Sequence, residues 1–432
     1  MKYYSTNKQS PVVGFEQAAV LGQAPDKGLY FPESIPMLEP SFLKEMDRLS
    51  REEIAFRVIR PYVGDALPEE ELYRIAAETV NFDFPLVPVT DRIASLELFH
   101  GPTLAFKDVG ARFMSRCLGY FAKDRTGKVH VLVATSGDTG GAVASGFYNV
   151  EGVEVVILYP SGKVSAVQEK QLTTLGKNVH ALEVDGSFDD CQRLVKQAFA
   201  DEELTSRLFL TSANSINIAR WLPQQFYYFY AWQQWKDKND LPVICVPSGN
   251  FGNICAGLLA VRSGLPAKHF IAACNANSVV PEYFRNGGDY RPQPARATLS
   301  NAMDVGDPSN FVRMLEIFDH QYGALTSFIS SYSISDEETA RTLAEVYEQQ
   351  GYLTDPHGAV AYAALKKYLS ENSSDQGIFL ETAHPIKFYD TVEPLIGAII
   401  PLPENLREIM GREKVSTPID NDYAQLRDYL TR

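Results

Sequence analysis

Apolar residues recur at helical spacing in the N-terminal region, from Ser41 to about Val80. Phe42, Met46 and Leu49 form the first such group, and further groups with the same spacing follow. Apolar residues three and four positions apart lie on one face of an α-helix. The pattern therefore predicts a mainly helical N-terminal part.

The pattern changes after Lys128, where short β-branched runs alternate with polar or Gly-rich turns and amphipathic segments. This alternation is typical of an α/β protein with a parallel sheet. The predicted strands are Val129–Ala134, Val153–Tyr159, Val179–Val184, Leu208–Thr211, Val243–Val246, Phe270–Cys274 and Ile378–Leu380. The predicted helices are Val164–Leu175, Phe188–Phe199, Ile216–Trp235, Ile254–Arg262, Glu337–Gln350 and Ala359–Leu369.

Composition and charge narrow the classes of partner. The chain has 432 residues with 40 Lys+Arg against 54 Asp+Glu, a formal net charge of −14 that argues against a nucleic-acid-binding surface. Its five cysteines show no metal-site spacing, so no metal is expected, and their odd number favours a reducing, cytoplasmic compartment. No apolar run approaches the ~18 residues of a membrane span, and the N-terminus lacks an apolar leader. We therefore expect a cytoplasmic protein without a membrane partner.

Two predicted strands end in Gly-rich turns that lead into helices. The first turn is Thr135–Thr139 and the second is Ser248–Asn253. Backbone N–H groups at a helix N-terminus can converge on a carboxylate or phosphate. Either turn alone could be an ordinary tight connection, but two in one parallel sheet predict a ligand crevice. Neither turn matches a dinucleotide or P-loop motif.

One lysine, Lys107, lies among apolar and turn residues in the segment HGPTLAFKD. A desolvated lysine has a disfavoured ammonium form and becomes the amine nucleophile that a Schiff base requires. Alternatively, its stem packs while its head group reaches water. The neighbouring motifs favour the first interpretation.

Six segments carry a family resemblance. They are HGPTLAFKD at His100–Asp108, ATSGDTG at Ala134–Gly140, SANSINIAR at Ser212–Arg220, PSGNFGN at Pro247–Asn253, LSNAMDVG at Leu299–Gly306 and ETAHPIKF at Glu381–Phe388. In this order the chain resembles, over essentially its whole length, the threonine synthases of the longer bacterial and fungal type. These are pyridoxal-phosphate (PLP) enzymes of fold type II, the tryptophan synthase β-like fold.

The resemblance implies how the cofactor is held. Lys107 is implied to be the catalytic residue that forms the Schiff base with PLP. The cofactor phosphate is implied to lie in the Ser248–Asn253 turn, whose members are Ser248, Gly249, Asn250, Phe251, Gly252 and Asn253. Thr382 is implied to place its hydroxyl against the pyridine nitrogen, with a helix N-cap before His384 as the alternative role.

The resemblance also implies a site for the substrate's α-carboxylate. It consists of Thr135, Ser136, Gly137, Asp138 and Thr139. Because an aspartate would repel a carboxylate, we expect Asp138 to hydrogen-bond to the backbone or to the region of the cofactor's 3-hydroxyl group.

A substrate phosphate requires charge-assisted donors. The candidate cations are Lys163 and Arg112, and the candidate neutral donors are Thr103, Ser161 and Asn214. The alternatives are a solvated lysine, a surface ion pair for the arginine and a turn role for the asparagine. His357 and His384 are expected to be turn or core residues.

The resemblance implies that O-phospho-L-homoserine and water are converted to L-threonine and phosphate. The alternatives are a related phospholyase that releases a 2-keto acid, and a noncatalytic phosphate-binding or nucleotide-binding protein. The expected organisation is a mainly helical part over residues 1–95, a PLP-binding core of two α/β subdomains over 96–390 and a C-terminal segment over 391–432. A monomer or homodimer is expected.

Overall fold

The computed structural model describes residues 1–123, 127–135 and 137–432. Its strands are β1 (Lys2–Ser5), β2 (Val13–Gly14), β3 (Tyr30–Pro32), β4 (Leu86–Pro88), β5 (Ile93–Glu97), β6 (Val129–Ala134), β7 (Val153–Pro160), β8 (Val179–Asp185), β9 (Phe209–Ser212), β10 (Val243–Pro247), β11 (His269–Cys274), β12 (Ile329–Ser333), β13 (Gly377–Glu381) and β14 (Thr417–Asp420).

The α-helices connect and flank these strands. They are α1 (Phe15–Leu21), α2 (Pro40–Glu45), α3 (Arg51–Val63), α4 (Glu69–Thr79), α5 (Lys107–Ala122), α6 (Asp138–Phe147), α7 (Ala166–Thr173), α8 (Phe188–Ala200), α9 (Glu202–Arg207), α10 (Ile218–Trp221), α11 (Gln225–Gln234), α12 (Gly252–Arg262), α13 (Val279–Arg285), α14 (Phe311–Ile317), α15 (Tyr322–Phe328), α16 (Asp336–Gln350), α17 (Pro356–Glu371), α18 (Tyr389–Ile396), α19 (Glu404–Gly411) and α20 (Tyr423–Leu430). No helix in the described ranges is long and apolar enough to cross a membrane.

The N-terminal part is helical where the apolar spacing predicts it. α2, α3 and α4 cover most of residues 40–79, and α3 begins at a Ser50 cap whose side chain accepts a hydrogen bond from the Glu53 amide. A small antiparallel sheet of order β2-β1-β3 precedes these helices. The sequence did not indicate this sheet because its strands are only two to four residues long.

The α/β core contains two separate sheets. One has the order β12-β11-β10-β13-β5-β4 and is parallel except for β4, and the other has the order β14-β8-β7-β6-β9 and is parallel throughout. The Ser248–Asn253 turn follows β10 of the six-stranded sheet, whereas the Thr135–Thr139 turn follows β6 of the five-stranded sheet. The expectation that both turns belong to one sheet is therefore wrong. Strand runs look alike in sequence, and only long-range pairing assigns them to sheets.

Most predicted strands and helices of the core are confirmed within two residues of their ends. The predicted helix Ile216–Trp235 is interrupted, because the structure has α10, a 3₁₀ turn over Leu222–Gln224 and then α11. Pro223 lies in that turn and lacks the N–H group that a continuous helix would use.

The C-terminal residues are part of the five-stranded sheet as well as of the surface. β14 pairs in parallel with β8, and α20 packs on α8. Leu426 and Leu430 of α20 join the same buried cluster as Leu182 of β8. The last 30 residues thus help to form a core.

Candidate active site

Lys107 is the first residue of α5, and the loop before it is bound to the residues after β13. The Phe106 amide donates to the Thr382 carbonyl at 2.9 Å, and the His384 amide donates to the Leu104 carbonyl at 3.0 Å. Since β5 and β13 are parallel neighbours, both chains leave the sheet at the same edge. This arrangement places Lys107 beside Thr382.

The Lys107 amine is buried, and two of the three charged side chains that influence its pKa are cations. Burial lowers the pKa of Lys107 to about 8, Lys387 and Arg220 also lower it, and Asp138 opposes this by favouring the ammonium form. Within the described residues the amine nitrogen has no hydrogen-bond partner, and it lies 5.9 Å from the centre of the Phe106 ring. With this pKa a much larger fraction of the amine is neutral near physiological pH than in an ordinary lysine, and the neutral form can act as a nucleophile.

The Ser248–Asn253 turn presents backbone amides. The five consecutive N–H groups from Gly249 to Asn253 have no acceptor among the described residues. Phe251 has left-handed backbone torsions, with φ of 64°, and α12 begins directly after it. A Cβ atom on Gly249 would lie 2.7 Å from Cα of Met303, so only glycine fits there. The turn can therefore bind an anion through its backbone.

The polar side chains of this turn maintain its shape. Asn250 donates to the Ser215 hydroxyl at 2.6 Å and accepts from the Ser309 amide at 2.6 Å. Asn253 donates to the Pro247 carbonyl at 2.8 Å, and the Ser248 hydroxyl donates to the carbonyl of residue 246 at 2.9 Å. These side chains are thus occupied by the scaffold, which leaves the amides for a ligand.

Thr382 follows β13, the strand between β10 and β5. Thr382 is 7% exposed, and its hydroxyl has no hydrogen-bond partner among the described residues. The alternative N-cap role is not seen, because His384 caps the following 3₁₀ turn by accepting from the Ile386 amide at 3.1 Å. The Thr382 hydroxyl is therefore available to a ligand.

The Thr135–Thr139 turn is more constrained. The Thr135 hydroxyl accepts from the amides of Gly137 at 3.0 Å and Gly140 at 2.9 Å. Gly137 has φ of 141°, and the side chain of Gln168 occupies the space where a Cβ atom would lie. The amides of Asp138 and Thr139 and the Thr139 hydroxyl have no acceptor or partner among the described residues, and Ser136 lies outside those residues.

Asp138 begins α6 and is buried within an ion pair. Its Oδ1 accepts from Nζ of Lys387 at 2.8 Å and from Nε2 of Gln168 at 2.9 Å. Burial alone would raise the pKa of Asp138, but Lys387, Lys107 and Gln168 lower it well below its usual range. Its partners in the described residues are side chains, so the expected bond to the backbone is not seen, and the expected place near the cofactor's 3-hydroxyl group stays a prediction.

Five residues were predicted to bind the substrate phosphate, and the structure does not bring them together. Ser161 and Lys163 are exposed after β7, and the Ser161 hydroxyl donates to Glu183 at 2.7 Å. Arg112 donates to the carbonyl of residue 78 at 3.1 Å and to the side chain of residue 81 at 3.0 Å. The Thr103 hydroxyl donates to the residue 108 carboxylate at 2.6 Å, and Asn214 lies in a turn. Within the described ranges no hydrogen bond or ion pair joins any two of the five, so their roles remain predictions.

Sequence reasoning missed several residues around Lys107. Asp108 is buried and accepts from both the amide and the hydroxyl of Thr103, and the buried Arg220 extends the cationic environment of the lysine. Lys387 is fully buried, although it lies in a quoted motif. The signal that singled out Lys107, a lysine flanked by apolar residues, also applies to Lys387.

No group of three or more potential ligands suited to a metal ion is found in the described part of the chain. All five cysteines are buried and unpaired. Burial raises the pKa of Cys117, Cys191, Cys245, Cys255 and Cys274 and makes their thiols poor nucleophiles. Among these groups Lys107, whose pKa is lowered, is therefore a better candidate nucleophile than any of the thiols.

Three family profiles match the chain. "Pyridoxal-phosphate dependent enzyme" matches residues 92–380, "Threonine synthase N terminus" matches residues 2–80 and "Threonine synthase, C-terminal" matches residues 358–430. The curated threonine synthase of Haemophilus influenzae is 46% identical, and the match covers 100% of each chain.

Solved structures agree with this result. The crystal structure of threonine synthase from Escherichia coli superposes with a TM-score of 0.92 at 44% identity, covering 100% of this chain and 99% of the other. The PLP-bound threonine synthase from Brucella melitensis superposes with a TM-score of 0.93 at 35% identity, covering 100% and 98%. The fold is therefore that of the type II PLP enzymes, as the resemblance implies. The chain belongs to the threonine synthase family of pyridoxal-phosphate-dependent enzymes.

Proposed function

We propose that this protein converts O-phospho-L-homoserine and water to L-threonine and phosphate. The observation that carries the proposal is the position of Lys107, whose pKa is lowered and whose loop is hydrogen-bonded to the Thr382 backbone at the sheet edge where β10 also ends. In the described part of the chain, the Thr382 hydroxyl and the amides of the turn after β10 have no partner. This set of groups matches the chemistry of the family's cofactor.

The residues present fit PLP. Lys107 supplies the amine for its aldehyde, the Gly249–Asn253 amides supply donors for its phosphate, and Thr382 supplies a neutral partner for its ring nitrogen. When bound, PLP draws electrons from an attached amino acid and makes protons on its carbon atoms acidic. A neutral hydroxyl leaves the ring nitrogen largely unprotonated, so the placement of Lys107 becomes more important.

Lys107 is the group proposed to move protons. A base is most effective when its pKa lies near the working pH, and burial lowers the pKa of Lys107 to about 8. With the cofactor bound, the Lys107 amine would take a proton from the α-carbon of the substrate. A second proton would leave the β-carbon as the γ-phosphate is expelled, and a proton at the γ-carbon and water at the β-carbon would complete L-threonine.

We propose that the substrate's α-carboxylate binds the Thr135–Thr139 turn through the free amides of Asp138 and Thr139 and the Thr139 hydroxyl. The phosphate is assigned to Lys163 and Arg112, with Thr103, Ser161 and Asn214 as the neutral donors predicted from sequence. For Arg112 and Thr103 this role requires that their present hydrogen bonds rearrange.

The proposed organisation is the one expected from sequence, with parts over residues 1–95, 96–390 and 391–432. We also propose that the protein works in the cytoplasm as a monomer or homodimer, without a nucleic acid or membrane partner. The net charge of −14 supports the exclusion of nucleic acid.

The test measures phosphate and L-threonine together after O-phospho-L-homoserine is added to the purified holoenzyme. Equal yields of the two products are expected, and Lys107→Ala is expected to lose both together with the visible absorption of the bound cofactor. Phosphate accompanied by 2-oxobutyrate in place of threonine would identify a phospholyase. If the coloured protein releases no phosphate, the substrate assignment is wrong while the cofactor assignment stands.

A further inference from the structure

A second buried lysine lies close to Lys107. Lys387 is in the 3₁₀ turn Pro385–Phe388 after β13, and its side chain has no solvent exposure. Its Nζ atom donates to Oδ1 of Asp138 at 2.8 Å and to the Thr103 carbonyl at 2.8 Å. A buried cation held in this way has a fixed position and a single carboxylate partner among the described residues.

The Asp138–Lys387 ion pair connects the two sheets of the core. Asp138 lies after β6 of the five-stranded sheet, and Lys387 lies after β13 of the six-stranded sheet. Further hydrogen bonds hold both partners in place. Gln168 donates to Asp138 at 2.9 Å. Thr103, the second acceptor of Lys387, donates to the Asp108 carboxylate through its amide and its hydroxyl. The pair thus has one defined geometry.

The same ion pair resolves an electrostatic conflict in the Thr135–Thr139 turn. The turn offers free amides and a hydroxyl to a carboxylate, yet Asp138 places a negative charge within it. Two carboxylates a few ångströms apart in a poorly solvated site repel each other strongly. Lys387 supplies the compensating positive charge from 249 positions away in the sequence.

We propose that Lys387 is a positioning residue whose charge cancels that of Asp138 and so allows the Thr135–Thr139 turn to accept a carboxylate. The proposal rests on the assignment of the substrate's carboxylate to this turn under the proposed function. This role differs from a purely structural one, because loss of a structural contact would weaken the binding of charged and neutral ligands by the same factor.

The experiment compares two ligands that differ only in the group in question. L-Threonine carries a carboxylate, and L-threoninamide carries a neutral amide of the same shape. Each is titrated into the holoenzyme at pH 8.5 and followed by the visible spectrum of the bound cofactor. The measured quantity is the ratio of the two dissociation constants, which reports preference for the carboxylate.

Lys387→Met removes the cation that is paired with Asp138 and is expected to reduce the preference for L-threonine about tenfold or more. Asp138→Asn is expected to increase the preference, because it removes the repulsion and leaves Lys387 positive. The double variant Asp138→Asn/Lys387→Met is expected to lie between the two single variants. Lys196→Met removes an exposed lysine on α8 and serves as the matched control, with no change expected.

The proposal is overturned if both ligands weaken by the same factor, or if the two single variants shift the preference in the same direction. If Lys387→Met does not fold, Asp138→Asn and the double variant still test the proposal. The proposed role predicts that the preference for L-threonine rises in Asp138→Asn and is lower again in the double variant, whereas a purely structural role predicts no change in either. The measurement needs no turnover of phosphohomoserine. A failure of the proposed reaction and a failure of this inference therefore give different results.

Discussion

The two Gly-rich turns of the core are similar in sequence but differ in how they can hold an anion. The Ser248–Asn253 turn has five amides without an acceptor in the described ranges, it contains no charged residue, and its polar side chains are hydrogen-bonded to the surrounding structure. The Thr135–Thr139 turn uses two nearby amides to bind its own threonine hydroxyl and contains a buried aspartate paired with a distant lysine. One site depends on backbone shape, whereas the other depends on a balance of charges.

The largest expected effect disrupts the Ser248–Asn253 turn by steric overlap. A Cβ atom at Gly249 would meet the backbone of Met303 at 2.7 Å, and backbone cannot move aside as a flexible side chain can. Overpacking of this kind costs about 1–3 kcal/mol, so Gly249→Ala should weaken PLP binding by about five- to 150-fold. Equilibrium titration of the cofactor-free protein with PLP measures this affinity. An unchanged affinity would show that the turn does not hold the cofactor.

An intermediate effect is expected on the pH dependence of PLP capture, because a charged residue, Asp138, lies in only one of the two turns. Burial lowers the pKa of Lys107 to about 8, and Asp138 keeps this pKa from falling further. The rate of PLP capture by cofactor-free protein should therefore rise with pH through about 8, since the neutral amine reacts. Asp138→Asn should move that midpoint to lower pH by about one unit.

Stopped-flow mixing over a range of pH values measures the midpoint. Gly249→Ala is the matched comparison, because it alters the affinity while the charges around Lys107 remain, and its midpoint should stay near that of the unsubstituted protein. Lys387→Met should shift the midpoint upward, opposite to Asp138→Asn. A common midpoint for all variants would contradict the electrostatic difference between the turns.

The smallest effect is expected at Gly141 of α6, just after the Thr135–Thr139 turn. A Cβ atom on Gly141 of α6 would lie 3.3 Å from Oε1 of Gln171, the end of a flexible side chain. Alanine also favours a helix interior by about 0.8–1 kcal/mol over glycine. Gly141→Ala should thus change the free energy of unfolding by less than about 1 kcal/mol, as measured with urea, and should leave PLP affinity unchanged. A loss comparable with that of Gly249→Ala would remove the contrast between the turns.

The sequence predicts local features of this fold well. β6 matches its predicted bounds, and α8 begins at Phe188 as expected, because β-branched runs and amphipathic spacing are local properties. The partition of strands between two sheets was not predicted, since β13 pairs with β5 across more than 280 residues. No local pattern records such pairing.

The candidate site shows the same difference between local and long-range features. Lys107, Thr382 and the Ser248–Asn253 turn could be identified from motifs, and the structure places them at one edge of one sheet. The role of Asp138 could not be predicted because its partner Lys387 is remote in sequence. The expectation for Asp138 named the backbone and the region of the cofactor's 3-hydroxyl group, and it did not include the lysine that pairs with this aspartate.

The position of β13 has a consequence for how the protein is made. This strand lies between β10 and β5, and Thr382 and Lys387 follow it directly. A chain emerging from the ribosome therefore cannot close the six-stranded sheet until residue 381 is free to insert, and β14 completes the other sheet only near residue 420. Sheets built from such distant segments form slowly. Only a chain synthesised beyond Thr382 and Lys387 can therefore assemble the site.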